Sequence, residues 1–378
     1  MRTPADNKTA SGHPGGHPGG NGGGHGGGQG SGKNQLRLVA WEITRSCNLS
    51  CIHCRASAEL GPYPDELSTD ECKAVLDDIA AFSDPIIIFT GGEPLLRKDI
   101  FEIIAHGQKL GMNMAVAVNG LLLDDEIAKK MVDHGVQRIS VSLDGATIKT
   151  HDTFRNVPGA FEGAMKGIEA AKRAGLAFQI NSTVTKMNLE EIPDLLKLAV
   201  DIGAVAHHIF LLVPTGRGKD LEAQEIPPEE YERTLNWFYD QRENVPIQLK
   251  ATCAPHYYRI LRQRAAEEGK QVTLESHGMD AMTRGCLGGT AFCFISHVGQ
   301  LSPCGYLELD CGNVRKEGFR KAWEDSKIFG ELRDYSKYEG KCGGCRYLKV
   351  CGGCRARAYA ATGNYMAEEP YCIYPGHG

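Results

Sequence analysis

The chain has 378 residues, a net charge of -5 and 42% apolar residues, which gives room for about two or three domains with ordinary cores. A pI near 6.2 excludes a broad nucleic-acid binder, whose surface is strongly basic, and no apolar run reaches the roughly 18 to 20 residues that cross a bilayer. Without an apolar leader segment the protein is expected to be cytoplasmic, and its 14 cysteines then point to metal or catalytic work rather than disulfides.

Residues 1–35 are Gly/His-rich, with His-Pro-Gly-Gly at 13–16 and again at 17–20. Such a composition buries too little to offset chain entropy, so a disordered tail is expected, its histidines at most weak metal holders. From residue 36 a unit repeats: an apolar, β-branched run, a helical pattern, then a glycine where the helix should stop. Strands are expected at Leu38–Thr44, Ile86–Thr90, Met112–Asn119, Arg138–Asp144, Phe178–Val184 and His208–Val213. The first helix opens on Ser68-Thr-Asp-Glu71, a capping box, and Gly111, Gly135, Gly175 and Gly203 stand at left-handed helix ends. Alternation of this kind forces a parallel sheet with helices outside it, and six units over 36–240 make an α/β fold, a partial (β/α)6 TIM-like barrel. Residues 241–285 read as a helical, substrate-contacting linker, and 286–378 as a cysteine-rich domain.

In such barrels chemistry sits at the C-terminal ends of the strands. Cys47-Asn-Leu-Ser-Cys51-Ile-His-Cys54 follows the first strand. Three thiolates on one short loop suit three irons of a four-iron cluster and leave the fourth iron open to a ligand. A zinc site with a remote fourth ligand, or a redox C-x2-C pair, remains open on spacing alone. The same rim carries Thr90-Gly-Gly-Glu-Pro94, Asn119-Gly120, Ser142, Asp144, Asn181, Thr183 and Pro214-Thr-Gly-Arg217. Further along, Cys286, Cys293 and Cys304 precede the run Cys342, Cys345, Cys351 and Cys354, with Cys372 near the end. A zinc ribbon is the plainer reading of its C-x2-C pairs. Cys72, Cys253 and Cys311 are left over; Cys72, inside the first helix, is expected to pack as a small hydrophobe.

The C-x3-C-x2-C loop resembles the signature of the radical S-adenosylmethionine (SAM) superfamily, with His53 where the family usually has an aromatic residue. The resemblance implies a cluster on Cys47, Cys51 and Cys54 that binds and cleaves SAM to a 5'-deoxyadenosyl radical. It also implies that Gly91, Gly92 and Glu93 hold the SAM amino group, and that Ser142, Asp144, Arg155 and Asn181 contact its ribose and carboxylate. A turn-opening Asp144 and a surface Arg155 are the competing view. The C-terminal array resembles a SPASM domain, which implies two auxiliary [4Fe-4S] clusters: Cys286, Cys293, Cys304 and Cys354 on one, Cys342, Cys345, Cys351 and Cys372 on the other. The spacing before Cys354 is x2 where the family usually shows x3, a departure that bears on how the ligands divide between the clusters.

Within the superfamily, Trp41-Glu-Ile-Thr-Arg-Ser-Cys47, His208-Ile-Phe-Leu-Leu-Val-Pro-Thr-Gly-Arg217, Lys250-Ala-Thr-Cys-Ala-Pro-His-Tyr-Tyr-Arg259 and Cys351-Gly-Gly-Cys-Arg-Ala-Arg357 are similar to the SAM-dependent heme synthases of the siroheme-derived pathway. That likeness implies oxidative decarboxylation of two propionates of iron-coproporphyrin III to vinyl groups, giving heme b. It further implies a low-potential electron donor such as flavodoxin or ferredoxin and an unidentified electron acceptor, with no nucleic acid or membrane partner. A substrate held by its carboxylates calls for bidentate arginines. Candidates are Arg217, Lys250, His256, Tyr258, Arg259 and Arg262, with Tyr258 and Arg262 on one face if the segment is helical. An ordinary solvated helix explains them almost as well. His207, His208 or His256 as a ligand to the substrate iron competes with a plain core histidine. Two alternatives stand beside this reading: another SPASM enzyme that modifies a peptide or protein, and a non-enzymatic electron-transfer protein.

Overall fold

The computed structural model describes residues 36–281 and 283–376, so the tail expected over 1–35 lies outside the described residues. The six expected strands form, as β1 (Leu38–Thr44), β2 (Ile86–Gly91), β3 (Asn113–Val118), β4 (Arg138–Ser142), β5 (Phe178–Val184) and β6 (Ala206–Leu211). The last is displaced two residues towards the N-terminus of its expected range, which preserves the alternation of faces. Three further strands follow: β7 (Gln248–Thr252), β8 (Phe292–Ile295) and β9 (Leu301–Ser302). All nine join one sheet in the order β7-β6-β5-β4-β3-β2-β1-β8-β9, parallel throughout except for the antiparallel β8/β9 pair.

The helices that accompany the strands up to residue 267 are α1 (Thr69–Ala80), α2 (Ile100–Lys109), α3 (Asp125–Asp133), α4 (Ile148–Arg155), α5 (Ala160–Arg173), α6 (Ile192–Asp201), α7 (Pro228–Asp240) and α8 (His256–Glu267). α1 starts at the expected box, with Ser68 Oγ accepting from Glu71 N and Glu71 Oε2 accepting from Ser68 N at 2.7 Å. Gly111, Gly135, Gly175 and Gly203 all take positive φ where their helices end. Alternate strand residues divide the sheet's two faces. Val39, Trp41, Ile87, Phe89, Met114, Val116, Ile139 and Val141 bury under the helices. The opposite face carries smaller and polar side chains, including Thr90, Ser142, Asn181 and Thr183.

Two differences from the sequence reading matter for the site. The linker expected to be helical over 241–285 contributes a seventh parallel strand, β7, which pairs with β6 in the register His208↔Lys250. Only Leu249 and Ala251 of its five residues are apolar and buried, too short an alternation to announce a strand. The cysteine-rich segment, in turn, is built onto the barrel sheet, since β8 pairs with β1 in the register Val39↔Cys293. No helix among the described residues is long and apolar enough to cross a membrane.

Candidate functional site

The cysteine loop leaves the C-terminal end of β1 and is tied down from the ends of other strands. Asn119 Nδ2, after β3, donates to Asn48 Oδ1 at 2.7 Å, and Phe154 O on α4 accepts from Ile52 N at 3.0 Å. The loop after β6 lies directly upon it: Arg217 N donates to Cys54 O at 3.0 Å, and its guanidinium donates to Cys51 O at 2.8 Å and Ala58 O at 3.0 Å. Gly216 is required there, because a Cβ would stand 2.1 Å from Arg55 O. Arg217, expected to bind substrate, is therefore spent on clamping this loop.

The three sulfurs have N–H donors: Leu49 N to Cys47 at 3.4 Å, Ala58 N to Cys54 at 3.4 Å, and Arg155 Nη1 to Cys51 at 3.6 Å. Burial, then the neighbouring thiols and Glu93, push the Cys47 thiol up to about 11, and burial raises Cys51 as well. A cationic group among the sulfurs would offset that and favour the thiolate form of Cys47 and Cys51. An iron cluster fits that donor set.

Around the loop, Gly91 and Gly92 serve the chain's own backbone. A Cβ on Gly91 would lie 2.1 Å from Thr44 O and one on Gly92 2.2 Å from Ser46 O. Glu93, expected to hold the SAM amino group, is fully buried, with Oε2 accepting from Asn119 N at 2.7 Å and Oε1 from Leu95 N at 3.2 Å. Burial raises its pKa to about 7. Asp144 and Arg155 form a buried ion pair at 2.5 Å, with His53 Nε2 3.4 Å from the same carboxylate. Burial alone would raise the Asp144 pKa, but Arg155 and His53 overcome it and hold the carboxyl low. Asp144 also accepts from Thr183 N at 2.7 Å, so neither it nor Arg155 is a turn opener or a surface charge. Asn181 accepts from Gln179 Nε2 at 2.9 Å on the polar face, near Ser142 at the end of β4.

In the C-terminal segment the structure regroups the cysteines. Cys342, Cys345, Cys351 and Cys372 together line one cleft. Three of their sulfurs accept N–H groups: Cys342 from Glu369 N at 3.3 Å, Cys345 from Tyr347 N at 3.4 Å and Cys351 from Gly353 N at 3.4 Å. Cys293 does not join Cys286, Cys304 and Cys354. Strand alternation turns it to the helix-covered face of the sheet, where it is fully buried in the main core beside Cys311. Cys253, left over in the sequence reading, takes that place. It packs with Cys304 and Cys354 in a separate apolar cluster, and the thiols around it are Cys354, Cys304 and Cys286. Cys253 has φ of 55°, a left-handed backbone unusual for a side-chain-bearing residue, and Tyr231 Oη fastens its carbonyl at 2.8 Å. Cys72 is a core residue of α1.

The substrate candidates largely turn inward. Arg259 closes on Glu232 at 2.5 and 2.8 Å. Tyr258 and Arg262 do share a face of α8, but they reach Asp280 Oδ1 at 3.4 Å and Ala281 O at 3.2 Å. His207 is a core histidine on Ser182 Oγ at 3.0 Å, His208 is bonded to Gln179 Nε2 at 2.9 Å, and His256 is 1% exposed. Lys250 lies half-buried on the polar face of β7, with Asp280 the charge nearest it.

Comparison with known proteins gives the family and the fold. Residues 41–199 match the radical SAM superfamily model and residues 286–354 match an iron-sulfur cluster-binding domain. An AdoMet-dependent heme synthase of Nitratidesulfovibrio vulgaris is 57% identical over 89% of this chain and 92% of its own. The Fe-coproporphyrin III synthase of Methanosarcina barkeri is 31% identical over 90% of this chain and 88% of its own. Streptococcus suis SuiB bound to S-adenosylmethionine has the same fold, with a TM-score of 0.70 at 16% identity, covering 90% of this chain and 78% of that one. SAM and iron-sulfur clusters are thus the cofactors of this enzyme. The chain belongs to the radical SAM superfamily and, within it, to the AdoMet-dependent heme synthases.

Proposed function

We propose that the enzyme oxidatively decarboxylates two propionate side chains of iron-coproporphyrin III to vinyl groups, yielding heme b. In each round a hydrogen atom leaves the propionate β-carbon, the bond to the carboxylate breaks, carbon dioxide departs, and one electron must be taken up. SAM held at the three-cysteine site would, on receiving one electron from its cluster, supply the radical that takes the hydrogen, and an auxiliary cluster would supply a sink for the electron released. In this reading Cys47, Cys51 and Cys54 hold the first cluster, and the rim of Gly91, Gly92, Glu93, Ser142, Asp144, Arg155 and Asn181 shapes the SAM site. Cys253, Cys286, Cys304 and Cys354 hold one auxiliary cluster; Cys342, Cys345, Cys351 and Cys372 hold the other.

The observation that carries this reading is the wall joining the radical site to the first auxiliary set. Arg55, next to Cys54, donates to Gly305 O beside Cys304 at 3.5 Å and stacks on Phe294 at 4.5 Å. Tyr306 lies between them, with Cys253, Arg55, Cys304 and Cys54 around it. An oxidation that releases an electron beside the radical site has an acceptor site within reach, which a redox-neutral reaction does not need. The family membership and the relative named for Fe-coproporphyrin III support the substrate. Of the six substrate candidates Lys250 suits a carboxylate best, because it is a half-buried cation on the polar face of β7 rather than one bound up in the packing of α8. A low-potential donor such as flavodoxin or ferredoxin reduces the first cluster.

Anaerobic turnover with iron-coproporphyrin III, SAM and a chemical reductant is the test. Mass spectrometry is expected to show two successive losses of carbon dioxide plus two hydrogens, each matched by one 5'-deoxyadenosine. SAM cleavage without either loss would sink the substrate assignment.

A further inference from the structure

Helix α8 bears the basic residues that the sequence reading assigned to substrate carboxylates, yet two of them face the cysteine cleft. His256 is 1% exposed and neither ring nitrogen has a hydrogen-bond partner among the described residues. Arg259 is 3% exposed; its two terminal nitrogens close on Glu232 and Gln263, and its Nε–H is left without an acceptor. Three residues apart on one helix, they share a face. Both line the cleft formed by Cys342, Cys345, Cys351 and Cys372.

A buried donor left unsatisfied is costly, so two of them at one cleft imply an acceptor that belongs inside it. The nearby carboxylate, Glu369, is already engaged: Cys354 N donates to Oε2 at 2.6 Å, and Tyr371 N and Arg357 Nη1 lie 3.3 and 3.5 Å from Oε1. The sulfurs of an iron-sulfur cluster are acceptors of the right kind, and N–H groups directed at them stabilise the extra negative charge of the reduced state.

We propose that His256 and Arg259 donate N–H groups to the sulfurs of the auxiliary cluster in this cleft, acting as positioning residues that raise its affinity for an electron rather than as substrate ligands. The proposal rests on the cleft holding a cluster; the use of that electron affinity in turnover rests on the proposed decarboxylation.

The test begins with unmodified enzyme carrying 15N-histidine, reduced anaerobically. Pulsed EPR is expected to find a histidine nitrogen coupled to the auxiliary signal that is missing from Cys345→Ala, and to lose that coupling in His256→Phe. In redox titrations, His256→Phe and Arg259→Gln are each expected to lower that cluster's reduced-to-oxidised ratio at a fixed poise by about tenfold, equal to about 59 mV for one electron. Iron content and the SAM-binding cluster should be unchanged. His256→Gln, which keeps an N–H donor, is expected to restore most of the midpoint. Absence of nitrogen coupling in the unmodified enzyme, or an unchanged midpoint in both variants, overturns the proposal. A normal shift in an enzyme that leaves iron-coproporphyrin III untouched would sink the substrate reading alone.

Discussion

Glu42 shows how one buried carboxylate organises the cysteine loop's base. It is fully buried on β1, with Arg55 Nη2 at 2.6 Å, Arg45 Nε at 3.2 Å and His297 Nδ1 at 2.8 Å. Burial alone would raise its pKa, but His297, Arg55 and Arg45 together hold it at about 2, below the ordinary 4.5. A pKa lower in the folded than in the unfolded chain adds stability above the unfolded value and loses it as pH falls through the folded one. The displacement corresponds to about 3 kcal/mol. Denaturant unfolding is therefore expected to show this contribution intact at neutral pH and declining below about pH 4.5, the ordinary carboxylate range. Glu42→Gln should lower neutral stability by about 3 kcal/mol and flatten the decline, because it leaves buried arginines without their counter-charge. Equal acid sensitivity in both proteins would contradict the assignment. The sequence motif around Trp41 placed Glu42 on a strand but not its partners, since Arg55 and His297 arrive from a loop and from the C-terminal segment.

At the scale of elements, the loop after β2 is shaped by how closely it passes the cysteine loop. Gly92 N donates to Thr44 O and Glu93 N to Ser46 O, both at 2.8 Å. A Cβ at Gly92 would meet three backbone atoms within 2.6 Å, none of which is a flexible side-chain end. Gly92→Ala is expected to push the two loops apart and to slow SAM cleavage by about a hundredfold, the usual consequence of misplacing a reacting group by about 1 Å. Iron content should be retained. The checks are 5'-deoxyadenosine formation and iron per chain; normal cleavage would show that the close approach does not matter for the chemistry. The Gly-Gly-Glu-Pro string was legible in the sequence. Its backbone role was not, because the partner of the close approach is the cysteine loop itself. α8 is a parallel case: its basic and aromatic composition suggested a substrate face, whereas Glu232 on α7 and the cysteine cleft occupy that face.

For the whole molecule, the C-terminal segment is part of the barrel's sheet and of its rim. Arg357 is buried and donates to Leu212 O at 3.0 Å, just beyond β6, and to Cys253 O at 3.2 Å after β7. It stacks between Tyr231 and Tyr371, with centroids at 5.1 and 5.4 Å. Cysteines from the barrel and from the C-terminal segment therefore meet at one place. Cys253→Ala is expected to remove or alter one auxiliary cluster, seen as a loss of up to about four irons per chain or a changed EPR signal. Cys293→Ala should leave iron and spectra unchanged and cost only the packing of a small core side chain, about 1 kcal/mol. The reverse pattern would return Cys293 to the ligand set.

The order of strands and helices, the three-cysteine loop at the end of the first strand and the total supply of thiols were determined by the sequence alone, because each is local: period, cap and spacing act within a few residues. Which thiols share a cluster was decided only in three dimensions. A one-residue alternation along β8 turns Cys293 into the core, and β7 carries Cys253 from a distant segment to the rim, where packing rather than spacing selects the partners.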